Sequence, residues 1–406
     1  MTHVRPVRTR ARRRAALLTA PISAAALMLA ACGEDAGGDG GGGGDGGEAV
    51  DSVTIGWTPP DITGVFQTAT NYFEQAAEEA GNHGIDVTVQ SRSPATHTDY
   101  ADQLAIVEDF ITQQVDVIAI SPADTQAILP AIQQANSAGI PVIIVNLLEE
   151  LEGVEVATYI GFSNSEAAEV SGYAVLDYYG GPGVLGDGET VDPPEDGYLD
   201  IDWWRSVYVG ADLGGVEANG VIIEGIAGSL FSNERNNGFN AAIEEASGVE
   251  ILAQPIAADW NREMGTSAAE DFLSRFGPDQ LDFIYASSNE MGMGAAAAAS
   301  QRGRLDTSGG QSPPEEGRVA VFTNDVTPES VDMIREGRIV AETHHGFAEW
   351  GWLGTASAVR LACGSEVERL QDIRPRTVYE GNADMFYPDL ELPEIDWDGI
   401  AAECGQ

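Results

Sequence analysis

The stretch VDVIAISPADTQAILPAIQQANSAGIPVIIVN, residues 115–146, decides the fold. It opens on an apolar run, Val115 to Ile120, and closes on another, Val142 to Val145. Between them Ser121-Pro122-Ala123-Asp124 makes a turn, and a helical stretch runs to Ala138. Gly139 and Pro141 then stop that helix, since neither residue continues one comfortably. Continuous apolar runs belong to strands covered on both faces, as in parallel sheets. Strand, helix and strand in about thirty residues is a βαβ unit.

The same alternation extends outward in both directions. Upstream, Val53 to Trp57 and Asp86 to Gln90 read as strands, and Val65 to Ala80 and Tyr100 to Gln113 as helices. Ala157 to Gly161 is a further short strand. A second set follows, with strands at 220–224, 249–253, 281–286, 319–323 and 339–343. Helices at 233–246, 262–276, 290–302, 328–336 and 348–363 separate them. The expected fold is α/β, with two doubly wound parallel-sheet lobes joined by a three-segment hinge. One lobe is read at 52–160 plus 346–378 and the other at 161–345, with crossings near 146–160, 323–327 and 344–346. Residues 180–215, with Pro193-Pro194 and Trp203-Trp204, lack clear periodicity and read as an insertion; 379–406 reads as a tail.

Residues 1–31 read as a targeting segment. Arg5, Arg8, Arg10, Arg12, Arg13 and Arg14 make a basic head, and Ala15 to Ala31 carries no charge. The end, Leu29-Ala30-Ala31-Cys32-Gly33, resembles a bacterial lipobox, which implies cleavage before Cys32 and acylation of that residue. Residues 32–51 read as a tether, Gly37 to Gly47 containing only Gly and Asp. The expected location is therefore extracytoplasmic, at the outer face of the cell membrane. With Cys32 lipidated, Cys363 and Cys404 are the remaining two of three cysteines, and a disulfide between them is expected in an oxidising compartment.

The chain contains no lysine, and its 20 arginines face 65 acidic residues. Removing the six leader arginines leaves 14 against 65, a net charge of −51. That excess disfavours nucleic acid, whose phosphates need cations. It suits a solvated acidic surface. No G-x-S-x-G elbow, P-loop or H-E-x-x-H motif points to an enzyme, and no Cys/His spacing points to a metal; no cofactor is expected.

Four stretches in order resemble the type I periplasmic binding proteins, close in pattern to the ribose-binding group: 115–146, GIAGSLFSNERNNGF (225–239), SNEMGMGAAAAA (288–299) and VFTNDVTPE (321–329). The resemblance runs from about Ser52 to Tyr379. It implies a solute-binding lipoprotein that closes on a small sugar or polyol and delivers it to an ABC permease, with a monomer expected. A second reading is a sensor that presents an autoinducer or osmolyte to a membrane kinase or chemoreceptor.

The resemblance also implies site positions. Phe66 stands where the family often has two aromatics, and Trp260 would form the opposite wall. Asn146 stands where an Asp is frequent, and Leu147 replaces a frequent Arg, which argues against ribose itself. Arg235 and Asp325 match ligand-binding positions, one offsetting the other's charge. Ser288 occupies a ligand-binding Asn position by strict register; Asn289 would replace it if the turn shifts by one. His345, where Gln is frequent, is read as a ligand or hinge contact. His344 and His345 cannot easily chelate together, because neighbours on a strand face opposite ways.

Overall fold

A computed structural model describes residues 52–186, 191–388 and 390–405. The targeting segment, the tether and Cys32 lie outside the described residues. Among the described residues, no helix is long and apolar enough to cross a membrane.

The first sheet has six strands, all parallel, in the order Leu370–Asp372, Thr158–Gly161, Val142–Val145, Val117–Ile120, Ser52–Thr58 and Asp86–Ser91. The run quoted at the outset explains its burial. Side chains alternate across a strand, so Val117, Ala119, Ile143 and Val145 face one layer and Ile118, Ile120, Val142 and Ile144 the other. The first layer packs under the helices Gly64–Asn82 and Phe347–Ala362, with Phe73 and Trp350 at its centre. The second packs under Tyr100–Gln113 and Leu129–Ser137.

The second sheet is ordered Leu199–Asp200, Arg376–Tyr379, Ala341–His344, Ala320–Asn324, Phe283–Ala286, Glu217–Glu224 and Gly248–Ile251, with Ile256–Ala257 also against Glu217–Glu224. Strand Arg376–Tyr379 runs antiparallel to its neighbours and the central strands are parallel. Apolar layers again cover both faces.

The crossings differ from the expected ones. Strand Thr158–Gly161 pairs with Val142–Val145, so 146–160 stays within the first lobe. Residues 323–327 stay within the second, because strand Ala320–Asn324 leads into the helix Pro328–Arg335 of the same lobe. The chain first crosses after Gly161, where the helix Asn164–Tyr178 packs on Leu230–Ile243. It returns at 345–346 and crosses again at 373–375. The first lobe's second segment therefore ends near 372 rather than 378, since Arg376–Tyr379 pairs with Ala341–His344. Gly346 has φ 79°, and a Cβ there would overlap the Ile373 side chain, so two crossings lie against each other only because this residue is glycine.

The stretch read as an insertion without clear periodicity has structure of its own among the described residues. It contains the helix Ile201–Tyr208, packed on Asn164–Tyr178. Buried Asp177 gathers the loop by accepting from the backbone N–H groups of Gly183, Val184 and Leu185 and from the Tyr208 hydroxyl. The tail is ordered too. Ala383 and Phe386 enter the second lobe's core, and the helix Trp397–Glu403 returns to the first, burying Trp397 and Ile400. Cys363 and Cys404 stand with Cα atoms 5.0 Å apart.

Candidate functional site

In a doubly wound sheet the loops at the carboxyl ends of the strands are the natural place for a site. Here those ends from both lobes line one cavity. Seven of the eight expected residues line it: Phe66 and Asn146 from the first lobe, Arg235, Trp260, Ser288, Asn289 and Asp325 from the second.

Three of these share a backbone feature. Asn146, Trp260 and Asp325 have φ of 68°, 61° and 74°. Asn and Asp tolerate this left-handed region, whereas a Trp there is strained and needs support from its surroundings. Support comes from two sides. The Arg235 guanidinium lies over the Trp260 ring, 5.3 Å from its centre, and Gly225 leaves the space that a Cβ would take from that ring.

Arg235 is buried at the cleft floor. It donates from Nε to Asn164 Oδ1 at 3.1 Å and from Nη1 to the Ser287 carbonyl, and Nη1 lies 3.4 Å from Asp325 Oδ1. Burial alone would raise the Asp325 carboxyl, but the charges and hydrogen bonds of Arg235 and His345 outweigh it and hold it below the ordinary range.

Ser288 takes the N-cap position of the helix Asn289–Gln301 without a side-chain capping bond. Its buried Oγ has no partner among the described residues, and neither does buried Asn146 Oδ1. Asn289 donates from Nδ2 to Thr327 Oγ1 at 3.2 Å, so it is anchored sideways rather than capping. Strict register and the shifted alternative thus both put a polar group on the cavity.

His345 does not line the cavity. It is fully buried behind Asp325, with Nδ1 3.1 Å from Asp325 Oδ1 and its ring 4.0 Å from that of Phe162. A direct contact with anything in the cavity is therefore ruled out, and the hinge position at the 345–346 crossing is what remains. Burial pushes its imidazole down to about 4, against the pull of Asp325. His344 faces Phe386 and Arg376 instead, so the two rings do diverge. Leu147 is fully buried in the first lobe's apolar layer, which also takes in Phe231 of the second.

Sequence reasoning missed Asp61, His97, Phe231 and Glu290, which also line the cavity. His97 Nε2 lies 2.7 Å from Asp61 Oδ2. Burial would raise Asp61, but His97 and the Thr63 N–H and hydroxyl together lower it. Asp61 lies between the first strand and the helix that carries Phe66, so reading the whole of that connection would have found it. His97 sits between a strand and a helix with nothing in its spacing to mark it. Glu290 is held by Arg262, 2.7 Å away. No group of three or more His, Cys, Asp or Glu among the described residues could hold a metal.

A family model described as a periplasmic binding protein domain matches residues 55–366. A D-ribose/D-allose-binding protein of Pseudomonas aeruginosa is 24% identical over 77% of this chain and 85% of its own length. A fructose import binding protein of Bifidobacterium longum is 26% identical over 80% and 84%. Among solved structures, a Mycobacterium smegmatis protein in complex with β-D-fucofuranose aligns with TM-score 0.65 at 21% identity, covering 87% of this chain and 98% of that one. An ABC transporter solute-binding protein of Bacillus halodurans with bound myo-inositol gives 0.62 at 21%, covering 84% and 98%. Two sheets whose strand ends share one cavity, and a family match spanning both, lead to one conclusion: the chain belongs to the periplasmic binding protein family.

Proposed function

We propose that the protein captures a small, largely uncharged sugar or polyol between its lobes and passes it to an ABC permease. One observation carries this reading: Asn146 and Ser288, whose buried Oδ1 and Oγ lack partners among the described residues, line a cavity with an aromatic residue from each lobe, Phe66 and Trp260. Unpaired buried polar atoms are costly unless a ligand satisfies them. Hydroxyl groups both donate and accept, and sugar C–H faces stack on aromatic rings. Arg235 and Asp325 offer a donor and an acceptor whose charges offset each other. The names of the relatives, covering ribose, allose and fructose, favour import over sensing.

The working cycle is hinge closure about the crossings at 162–163, 345–346 and 373–375. In this reading Cys32 carries lipid and 32–51 is the tether, the folded part is a monomer, and Cys363 and Cys404 form a disulfide that fixes the tail. A thermal-shift screen of residues 33–406 against pentoses, hexoses, polyols and amino acids tests the ligand class. A sugar or polyol should raise Tm by several degrees. Stabilisation by an amino acid with none by any sugar or polyol would overturn it.

A further inference from the structure

The hydrogen bonds behind Asp325 form a line that no cavity residue explains. Asn324 ends strand Ala320–Asn324 and is fully buried. Its Nδ2 lies 2.6 Å from the Tyr285 hydroxyl, and its Oδ1 lies 3.0 Å from His345 Nε2. The other ring nitrogen, Nδ1, lies 3.1 Å from Asp325 Oδ1. With that amide orientation, both ring nitrogens of His345 lie close to acceptors, Nε2 in a hydrogen bond and Nδ1 off the hydrogen-bond axis. A neutral imidazole carries one proton, so one facing pair would be two lone pairs. An imidazolium would satisfy both, but the ring is fully buried, packed against Phe162, and shares Asp325 with Arg235. A cation there is opposed by burial and by a second cation on the same carboxylate.

The two ends of an amide are nearly the same shape, so turning Asn324 over changes only its hydrogen bonding. Tyr285 then donates its hydroxyl proton to the amide oxygen. The amide nitrogen donates to His345 Nε2, and His345 Nδ1–H donates to Asp325. As the ring stands, Nδ1 lies close to Asp325 Oδ1 without a hydrogen bond, and a small turn of the ring that brings Nδ1–H onto that oxygen satisfies every group without a buried imidazolium.

We propose that Tyr285, Asn324 and His345 form a directional relay that fixes neutral His345 as the Nδ1–H tautomer and thereby positions the Asp325 carboxylate at the cleft. His345 is then a positioning residue. It occupies Asp325 Oδ1 together with Arg235 and leaves the remaining oxygen to accept from whatever enters the cavity. It is also the residue at a lobe crossing, so the same ring joins the cleft floor to the hinge. Asp325 and Arg235 are the charged groups at the ring, and His344 is the adjacent titratable one. The consequence for binding rests on the function proposed above; the relay itself does not need a ligand.

The test is a long-range ¹H–¹⁵N imidazole spectrum of residues 33–406 at pH 7, with His345 assigned by His345→Gln and, independently, by His345→Phe. The expected result is a neutral ring protonated on Nδ1. Tyr285→Phe removes the first donor, frees the amide to turn, and should raise the share of the Nε2–H form, with Phe239 still stacked on the ring. An Nε2–H ring, a doubly protonated ring, or a Tyr285→Phe spectrum identical to wild type would overturn the relay. A panel in which no sugar or polyol binds would overturn the reading of the cleft while leaving an Nδ1–H result standing.

Discussion

Replacing Arg235 by Met removes the cation from the cleft floor while keeping most of the side chain's length. Arg235 is 5% exposed, and Asp325 is 7% exposed, so neither charge is well solvated. Breaking a buried ion pair by removing one partner costs about 3–5 kcal/mol. Two features of this site reduce that figure: the cavity admits water, and His345 still touches Asp325 Oδ1. The loss of packing over Trp260 adds a little, leaving an expected destabilisation of about 2–4 kcal/mol. Urea unfolding at pH 7 of wild type, Arg235→Met, Asp325→Asn and the double variant gives the coupling directly. If the pair is the reason for the cost, removing both charges should recover about half of it, a coupling above about 1 kcal/mol. Additive effects, with a coupling below about 0.5 kcal/mol, would refute the reasoning and assign the loss to packing. Sugar or polyol binding by Arg235→Met should fall at least tenfold, as a charged hydrogen bond is worth about 1.5–3 kcal/mol.

The two buried histidines, His344 and His345, should each cost stability in acid. Their folded-state values are lowered from 6.5, that of His345 to about 4. At these residues the unfolded chain binds more protons than the folded one between about pH 6.5 and 4, so their contribution falls as pH drops, by about 1.4 kcal/mol per pH unit for each proton. Asp177, raised to about 6, and buried Glu342 and Glu349, also raised, act in the opposite sense. His345→Phe removes one histidine contribution, so its urea midpoint should hold up better than that of wild type between pH 7 and pH 5; an equal or greater loss would refute the assignment. Gly225→Ala should displace Trp260, costing about 1–3 kcal/mol in stability and most of the ligand-induced thermal shift. Leu147→Ala should lower stability by about 2–5 kcal/mol in urea unfolding, since Leu147 is wholly buried in the first lobe's apolar layer.

Strands and helices were legible because burial on both faces leaves an unmistakable apolar run, as at 117–120 and 142–145. The crossings were not. A loop that returns to its own sheet and a loop that changes lobes have the same composition, and only pairing distinguishes them. Thr158–Gly161 could have begun either lobe until its parallel register with Val142–Val145 was seen. Arg376–Tyr379 was assigned to the wrong lobe because an antiparallel return strand looks, in sequence, like any β-branched run. Within the cleft, residues just after strand ends were readable, since strand ends converge there. His345 was placed too near the cavity because sequence order cannot say that Asp325 stands in front of it. The Asp61–His97 pair joins two loops 36 residues apart and leaves no periodic trace.

The path of the tail bears on how the chain folds as it is made. The first lobe's sheet takes its last strand from Leu370–Asp372, one apolar layer takes the helix Phe347–Ala362, and Trp397, Ile400 and Cys404 close that layer. About nine-tenths of the chain must therefore emerge before the lobe nearest the N-terminus has its full complement of elements, and nearly all of it before the core is sealed. The second lobe, drawn mainly from 164–344, has most of its parts sooner. Contacts between residues as far apart as Phe73 and Thr355 carry a loop-closure cost that local pairings do not. The N-terminal lobe should thus be the later of the two to fold. During synthesis its first strands remain exposed, which keeps the chain in a form that can still be threaded and leaves its apolar strands dependent on protection until the C-terminal helix arrives.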